Sequence, residues 1–280
     1  MEKIQWHPAF CAAAGLEFSE DLDTLELISE YNLSKEPIRI DLLILKDACS
    51  RIKNEIGHIM RKYNVIEYKS PTDGLSIDDF YKTLGYACLY KGYGEKVNAI
   101  SSDEITISLF RDVYPRELID SLKCEGYSID EVYPGIYYVN GSIPFPAQIV
   151  VTSRLNKNEH SSLRILSNHV QLDDVERFMV EAQNRTSQGE IHKISAVLLV
   201  SSDANPQVYE EIRKDTYMGH VWEELMKDVI EERVSAGEEK GAFTMALNNI
   251  KNGMKNSNLS FDGVCDLLGI QDKEKYRKYI

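Results

Sequence analysis

Apolar residues alternate with polar ones, or run together, in three segments near the start of the chain. Leu25–Tyr31 alternates as a half-buried strand does, and Ile38–Leu45 is an almost continuous apolar run typical of a buried strand. The turn-forming residues 32–37 between them predict a β-hairpin. Asn64–Lys69 predicts a third strand, which ends before Pro71.

Helical spacing begins after this third strand. The hydroxyl of Ser76, followed by two acidic residues, predicts a helix start, and the helix would cover about Asp78–Tyr90. Phe80, Leu84, Ala87 and Cys88 fall near one face of this helix, and we expect Cys88 to be a small core residue.

Further strands and helices are predicted in alternation up to about residue 215. The predicted strands are Ile105–Phe110, Ile136–Val139, Gln148–Thr152, Ser162–Leu166 and Ala196–Ser201. The predicted helices are Pro115–Glu125, Leu172–Asn184 and Gln207–Lys214, whereas Ala9–Leu16 predicts only a short apolar turn. This pattern predicts an α/β or α+β fold in which helices flank a mixed central sheet.

The last sixty residues have a different character. Val221–Asn252 is a long charged segment with helical spacing, in which Gly237 and Gly241 predict a break or bend. Residues 259–280 predict two short helices with basic residues near the end. Such a pair more commonly docks on the body of a protein or on another subunit than on DNA, although DNA binding stays open.

Two regions therefore follow from the pattern. We expect a domain at residues 1–218, with its core at 25–125, and a helical C-terminal region at 219–280 that could join copies of the chain. No run of 18 apolar residues exists, so no membrane span is predicted. Residues 1–8 lack the apolar segment of a signal peptide, which favours a cytoplasmic protein.

Cysteines and histidines show no metal-binding or disulfide pattern. The five cysteines are far apart and form no CxxC pair, so we expect neither a disulfide nor a structural zinc ion. The six histidines also lack ligand spacing, and we expect each of them at the surface or as a helix cap.

The charge of the chain argues against a nucleic-acid ligand but does not exclude one. The chain has 32 basic and 45 acidic residues, a net charge of −13, whereas phosphate contacts require local positive charge. The charge is uneven, however. Residues 1–34 contain seven acids and one lysine, whereas residues 35–96 contain eleven lysines and arginines and nine acids. A nucleic-acid surface around the three predicted strands therefore stays open.

Three polar residues in the predicted strands are candidates for chemistry. Residues two apart in a strand share a face, so Glu67 and Lys69 would point the same way. Asp41 opens an apolar strand, where a carboxylate is costly unless it is paired or binds a cation. Two carboxylates on neighbouring strands suit Mg²⁺, and a lysine beside them could orient a water molecule or stabilise phosphate charge. Alone, a Glu-x-Lys pair is more often a solvated ion pair; the joint pattern is more specific.

The same residues carry a resemblance to a known family. Leu33–Asp41, Ile66–Pro71 and, more weakly, Asp78–Ala87 resemble the PD-(D/E)XK nuclease superfamily. Within it, the chain is similar to the recombination-promoting nucleases, a transposase-like group. The resemblance covers roughly residues 25–95, although Ile40 stands where the motif's name has proline.

The resemblance implies a restriction-endonuclease-like core and Mg²⁺- or Mn²⁺-dependent hydrolysis of DNA. It implies Asp41 and Glu67 as metal ligands and Lys69 as the catalytic lysine. Glu30 would be the additional acid, as a third ligand or a base, and is preferred over Glu26 because it lies nearer the hairpin.

Members of the superfamily often place polar residues of the following helix near the site. The corresponding residues here are Tyr81 and Lys82. For them we favour a half-buried aromatic residue and a surface charge, respectively.

Two alternatives to a nuclease stay open. A catalytically inactive member of the same fold could serve as a protein-binding or assembly module, which the net charge favours. A regulator could instead bind DNA through residues 259–280. The regulator would keep DNA binding after loss of Lys69, whereas the nuclease would lose its activity.

Overall fold

The computed structural model describes residues 6–32, 39–47, 50–185, 187–256 and 260–279. Most of the predicted turn at 32–37, most of the Leu33–Asp41 segment and Cys49 lie outside these residues. The chain divides into two compact units, Met1–Leu225 and Met226–Ile280. None of the helices in the described ranges is both long and apolar enough to cross a lipid bilayer.

Seven strands form one mixed sheet in the first unit. They are β1 Leu25–Asn32, β2 Arg39–Lys46, β3 Tyr63–Tyr68, β4 Ile105–Arg111, β5 Ser128–Tyr133, β6 Ile136–Asn140 and β7 Ala147–Val151. Their order in the sheet is β1-β2-β3-β4-β7-β6-β5. β4 is parallel to β3 and to β7, and the other pairs are antiparallel. The sheet therefore has the mixed character that the sequence predicts.

Helices are the other main elements of the described residues. They are α1 Trp6–Glu17, α2 Ile77–Gly92, α3 Arg116–Cys124, α4 Ser161–Arg164, α5 Leu172–Ala182, α6 Gln188–Ala204, α7 Pro206–Lys214, α8 Thr216–Asn256, α9 Phe261–Leu267 and α10 Glu274–Arg277. Short 3-10 turns lie at Ser19–Asp21, Glu55–Ile59, Ser102–Glu104 and Thr152–Arg154. The α+β fold with a helical C-terminus is confirmed.

Helix α2 packs on one face of the sheet. Ser76 caps its first turn together with Asp79, because the side chain of each residue accepts a hydrogen bond from the backbone N–H of the other. Phe80 and Ala87 are buried against the sheet in the same core as Leu43 of β2. This core fixes which face of β2 and β3 lies next to α2.

Helix α1 packs on the opposite face of the sheet. The ring of Phe10 stacks on Tyr68 at 4.2 Å between centroids and meets Phe110 edge-on at 5.2 Å. The sequence predicted only a short turn at Ala9–Leu16, because its run of small residues hides a helical stripe. Ala9, Phe10, Ala13 and Leu16 form that stripe, and all are buried.

Two predicted strands are helices instead. Ser162–Leu166 falls mostly in α4, and Ala196–Ser201 lies inside α6. Short apolar runs do not distinguish a strand from a buried helix. In α6 the buried residues are Ile194, Val197, Leu198 and Ser201, which repeat with helical spacing.

Two smaller predictions differ from the structure, and one strand was not predicted. Cys88 is exposed, because the neighbouring Ala87 takes the buried position of α2. Of the break or bend predicted at Gly237 and Gly241, the break is wrong, because helix α8 is continuous through both positions. Strand β5, which was not predicted, is a largely exposed, charged strand at the edge of the sheet.

The second unit has a small core of its own. Ile250 of α8 packs with Val264 and Cys265 of α9, and the three residues are buried. Ser260 caps α9, because its side-chain oxygen accepts a hydrogen bond from the backbone N–H of Gly263 in the first turn of that helix. The pair of short helices predicted for residues 259–280 thus corresponds to α9 and α10.

Candidate functional site

Asp41 and Glu67 lie close together on the neighbouring strands β2 and β3. The antiparallel pairing of the two strands runs from Leu45 and Tyr63 to Leu42 and Ile66. Next to it, the backbone N–H of Tyr68 donates to Asp41 Oδ2, which places the Asp41 carboxylate at the end of β3. Burial and the nearby charge of Glu67 both raise the pKa of Asp41, so two like charges meet there.

The Glu67 carboxylate is almost completely buried and is held by two lysines. Its side chain is only 4% exposed, and its Oε1 lies 3.0 Å from Lys69 Nζ and 3.3 Å from Lys82 Nζ. A buried carboxylate requires such partners, because an unpaired ion loses its hydration. Glu67 is thus paired inside the fold with positive groups from its own strand and from α2.

Lys69 continues the alternation of β3 beyond the end of the strand. Its backbone N–H donates to Phe110 O at 2.9 Å, so the pairing with β4 continues. Its Nζ lies between Glu67 and Asp79, 2.7 Å from Asp79 Oδ1. Burial lowers the pKa of Lys69, but hydrogen bonds and charge from Asp79 and Glu67 outweigh it and raise the pKa above its ordinary value. Lys69 is therefore a cation at neutral pH and cannot act as a base.

Asp41 is partly buried and carries less compensation than Glu67. Its Oδ2 accepts a hydrogen bond from the backbone N–H of Tyr68 at 2.9 Å, and His7 Nε2 lies 3.8 Å away. Burial, followed by the charge of Glu67, raises the pKa of Asp41, although Tyr68, His7 and Lys69 oppose this. Any added positive charge would therefore stabilise the carboxylate pair.

The two carboxylates fit a hard divalent cation. Within the described ranges, neither Asp41 Oδ1 nor Glu67 Oε2 accepts a hydrogen bond. Carboxylate oxygens are the ligands that Mg²⁺ prefers, and water usually completes its shell. A cation between the strands would also remove the repulsion that raises the pKa of Asp41.

Glu30 lies beside this pair in the sheet, but its carboxylate points elsewhere. The register of β1 and β2 is unshifted on both sides of Glu30 and places it opposite Asp41. Its φ of +49° is left-handed, which is rare for a residue with a side chain. Its exposed carboxylate lies 3.6 Å from Arg39 Nη1. Glu26 lies opposite Leu45, about 13 Å further along the strand, and is too distant to compete.

Helix α2 contributes more to the site than the sequence indicated. Lys82 was expected to be a surface charge, yet its Nζ contacts Glu67 and lies 5.3 Å from the centre of the Tyr86 ring. Asp79 was expected only at a helix start, yet it also holds Lys69. The spacing of three residues between Asp79 and Lys82 was the available signal, because it places both on one face of the helix. Tyr81 instead donates to Glu125, away from the carboxylate pair.

Comparisons with known proteins give no match at any level. No protein-family model, no curated protein and no solved structure matches the chain. The site is therefore characterised by its own geometry. Asp41 and Glu67 form a carboxylate pair on adjacent strands, and Lys69 and Lys82 place two ammonium groups against Glu67.

Proposed function

We propose that this chain is a Mg²⁺- or Mn²⁺-dependent phosphodiester hydrolase of the PD-(D/E)XK type that cuts DNA in the cytoplasm. The observation that supports this most is the proximity of Asp41 on β2 to Glu67 on β3, with the Lys69 ammonium 3.0 Å from Glu67. Two acids and an amine from adjoining strands thus lie at one place.

The residues divide the chemistry among themselves. Asp41 and Glu67 would hold the metal ion, which would supply an activated water and neutralise charge on the attacked phosphate. Lys69 is cationic, so it donates hydrogen bonds to the water or to a phosphate oxygen and stabilises the charge that develops there. Asp79 keeps the Lys69 ammonium in place. Lys82 is half exposed beside Glu67 and offers a second positive group to a phosphate.

The proposal gives Glu30 a conditional role. Its backbone lies next to Asp41, whereas its carboxylate is with Arg39. A side-chain rotation on substrate or metal binding would bring it to the pair as a third ligand or as a base. Because its carboxylate is exposed, this rotation breaks only a weak surface contact.

Cleavage assays test the proposal directly. Purified protein with Mg²⁺ or Mn²⁺ should cut at least one of three substrates, namely supercoiled plasmid, linear duplex and single-stranded DNA. Asp41→Asn and Lys69→Ala should abolish the cleavage, whereas Glu26→Gln, an acid of β1 outside the site, should leave it unchanged. Equal inertness of the wild type and both site variants on all three substrates contradicts the enzymatic proposal.

The net charge of −13 favours a second candidate, a catalytically inactive fold that binds a protein partner. In that case the two lysines on Glu67 serve stability alone, and the C-terminal helices join copies or partners through exposed residues such as Leu267 and Leu268.

A third candidate binds DNA through α9 and α10. Deletion of residues 259–280 would abolish DNA binding in the third case and leave cleavage by the proposed nuclease in place.

A further inference from the structure

A second cluster of acidic and histidine side chains lies in the first unit, where α1 ends. His160 precedes α4, and its Nδ1 lies 2.7 Å from Oε2 of Glu17, the last residue of α1. Its Nε2 lies 3.6 Å from Oε2 of Glu55, which opens a 3-10 turn. One side-chain ligand atom from each of Glu55, Glu159 and His160 lies within 4.8 Å of the other two.

The two atoms at the centre of this cluster are buried without hydrogen bonds. His160 is 1% exposed, so it is not a surface histidine; it is the N-cap residue of α4, but its side chain makes no capping hydrogen bond. Neither its Nε2 nor Glu55 Oε2 has a hydrogen-bond partner within the described ranges. Leaving one buried polar atom unsatisfied costs about 1–3 kcal/mol, so a pair of them aimed at each other points to a missing partner.

The other nitrogen of His160 is already engaged. The Glu17 carboxylate accepts from Nδ1–H and is itself held by Ser162 and Asn54. A histidine whose second nitrogen donates to a carboxylate is the usual arrangement of a metal-ligating histidine, because the carboxylate fixes the tautomer and the ring. It leaves the lone pair of Nε2 directed at Glu55.

The separation of the candidate ligands fits a metal ion better than a direct bond. A distance of 3.6 Å is too long for an N–H···O hydrogen bond. Two ligands about 2.1 Å from one tetrahedral ion are about 3.4 Å apart. Burial opposes protonation of His160, but Glu17 and Glu55 outweigh it and raise its pKa, so a proton and a metal ion compete for Nε2.

The cluster is reachable from solvent and is rich in negative charge. His160 and Glu159 line a pocket of about 310 Å³ together with Glu17 and Asn54. Lys53, which also lines the pocket, is paired with Glu20. Three carboxylates therefore surround one imidazole, and a divalent cation would offset their repulsion.

We propose that His160, Glu55 and Glu159 bind a divalent transition-metal ion such as Zn²⁺, with Glu17 holding the His160 ring. An imidazole nitrogen with carboxylate oxygens suits Zn²⁺ better than Mg²⁺ or Ca²⁺, which prefer oxygen ligands alone. The ion would tie the end of α1 to the Glu55–Ile59 turn and to the segment before α4, and so has a structural role separate from Asp41 and Glu67.

Zn²⁺ binding to the full-length chain tests this site. We would measure affinity by calorimetry and stoichiometry by elemental analysis after dialysis, all in an Asp41→Asn background that weakens the other candidate site. One Zn²⁺ per chain should bind, and His160→Gln should abolish it. Glu159→Gln should weaken it tenfold or more, whereas Glu20→Gln, an acid of the same pocket, should have no effect.

Further variants keep the test decisive. Glu17→Gln should lower the Zn²⁺ affinity about tenfold in a chain that still unfolds cooperatively, because a neutral amide makes Nε2 a weaker ligand. Glu159 is exposed, so Glu159→Gln decides the matter if His160→Gln does not fold. Absence of Zn²⁺ binding, or equal affinity of Glu159→Gln and Glu20→Gln, overturns the proposal.

Discussion

The two acidic clusters of the first unit compensate buried carboxylates in different ways. Glu67 is held by two ammonium groups, Lys69 and Lys82. Glu17 is held by an imidazole and two neutral donors, and the far side of that imidazole has no hydrogen-bond partner within the described residues. The first cluster is therefore nearly satisfied without an added ion, except at Asp41.

This difference separates two uses of a cation. At Asp41 and Glu67 the candidate ligand atoms are carboxylate oxygens, and the Asp41 side chain is partly exposed to solvent. This arrangement suits a Mg²⁺ ion that keeps several waters and exchanges substrate. At His160, a nitrogen ligand is fully buried, and its partners Glu17 and Glu55 come from two distant segments, which suits an ion that stabilises the fold. The comparison can be tested by removing one charged side chain from each cluster and measuring the loss of stability.

The largest effect on stability is expected from Glu17→Ala. It leaves the buried donors of His160 and Ser162, and that of Asn54, without their acceptor, and each loss costs about 1–3 kcal/mol. The free energy of unfolding should fall by about 4 kcal/mol in denaturant titrations. Glu159→Ala, an exposed acid of the same cluster, should change it by less than about 0.5 kcal/mol. Similar losses for both variants would show that the cluster is not organised around His160.

A somewhat smaller loss is expected from Lys69→Ala. It leaves the Glu67 carboxylate with Lys82 alone, and breaking a buried ion pair typically costs about 3–5 kcal/mol. Because Lys82 remains, we expect the lower limit, about 3 kcal/mol, in the free energy of unfolding. Lys69→Met keeps the apolar stem and is the matched control for lost packing. A loss below about 1 kcal/mol would mean that Glu67 does not depend on Lys69.

How far each cluster could be predicted from the sequence depends on how far apart its residues lie along the chain. The apolar pattern around Asp41, Glu67 and Lys69 predicts the strands in which they lie and which strands are adjacent. That these three residues come close together could therefore be predicted from the alternation and the hairpin. The contacts of Asp79 and Lys82 needed one more step, because a helix must first be placed on the sheet. The left-handed φ of Glu30 has no sequence signal, and it decides where that carboxylate points.

The second cluster could not be predicted in this way. Glu17, Glu55 and His160 are separated by up to 143 positions and meet only because α1 packs next to α4. Local spacing carries no information on such a contact, which is why His160 was expected at the surface. The same limit explains Ala196–Ser201, where an apolar run without long-range context was taken for a strand although it lies inside α6.

Asp112 sharpens the comparison because, among the residues that the structure describes, neither a lysine nor a histidine is hydrogen-bonded to its buried carboxylate. It is 2% exposed, Ser167 donates to its Oδ2 at 3.2 Å, and its Oδ1 is buried without a hydrogen-bond partner in the described part of the chain. Burial raises its pKa above the ordinary value, although Ser167 opposes this. Its contribution to stability is therefore present at low pH and is lost as the pH rises through the folded-state pKa.

Asp112→Asn should consequently stabilise the protein at neutral pH. We expect a gain of about 1 kcal/mol, or about 2–4 °C in Tm, at pH values above the folded-state pKa. The gain shrinks as the pH falls from the raised folded-state pKa toward about 4, and it is absent below that because the aspartic acid is then neutral in both states. Thermal unfolding of both chains between about pH 3 and 8 measures it. Asp120→Asn, on the exposed side of α3, is the control with no expected change. A variant that is less stable than the wild type at pH 7 would show that the Asp112 charge is compensated after all.

Lys82→Ala gives the smallest change in stability but tests what the second ammonium group is for. Lys82 is 47% exposed, and Lys69 still pairs Glu67 after its removal, so the free energy of unfolding should change by less than about 1 kcal/mol. If the site cuts DNA, a positive group beside the carboxylates contributes to phosphate binding, and cleavage should fall about tenfold and depend less steeply on salt concentration. Lys62→Ala, a cation on the same strand region paired with Glu104, should change neither quantity. An unchanged cleavage rate and salt dependence in Lys82→Ala would restrict this lysine to holding Glu67, and would leave Lys69 as the cation on which the proposed chemistry depends.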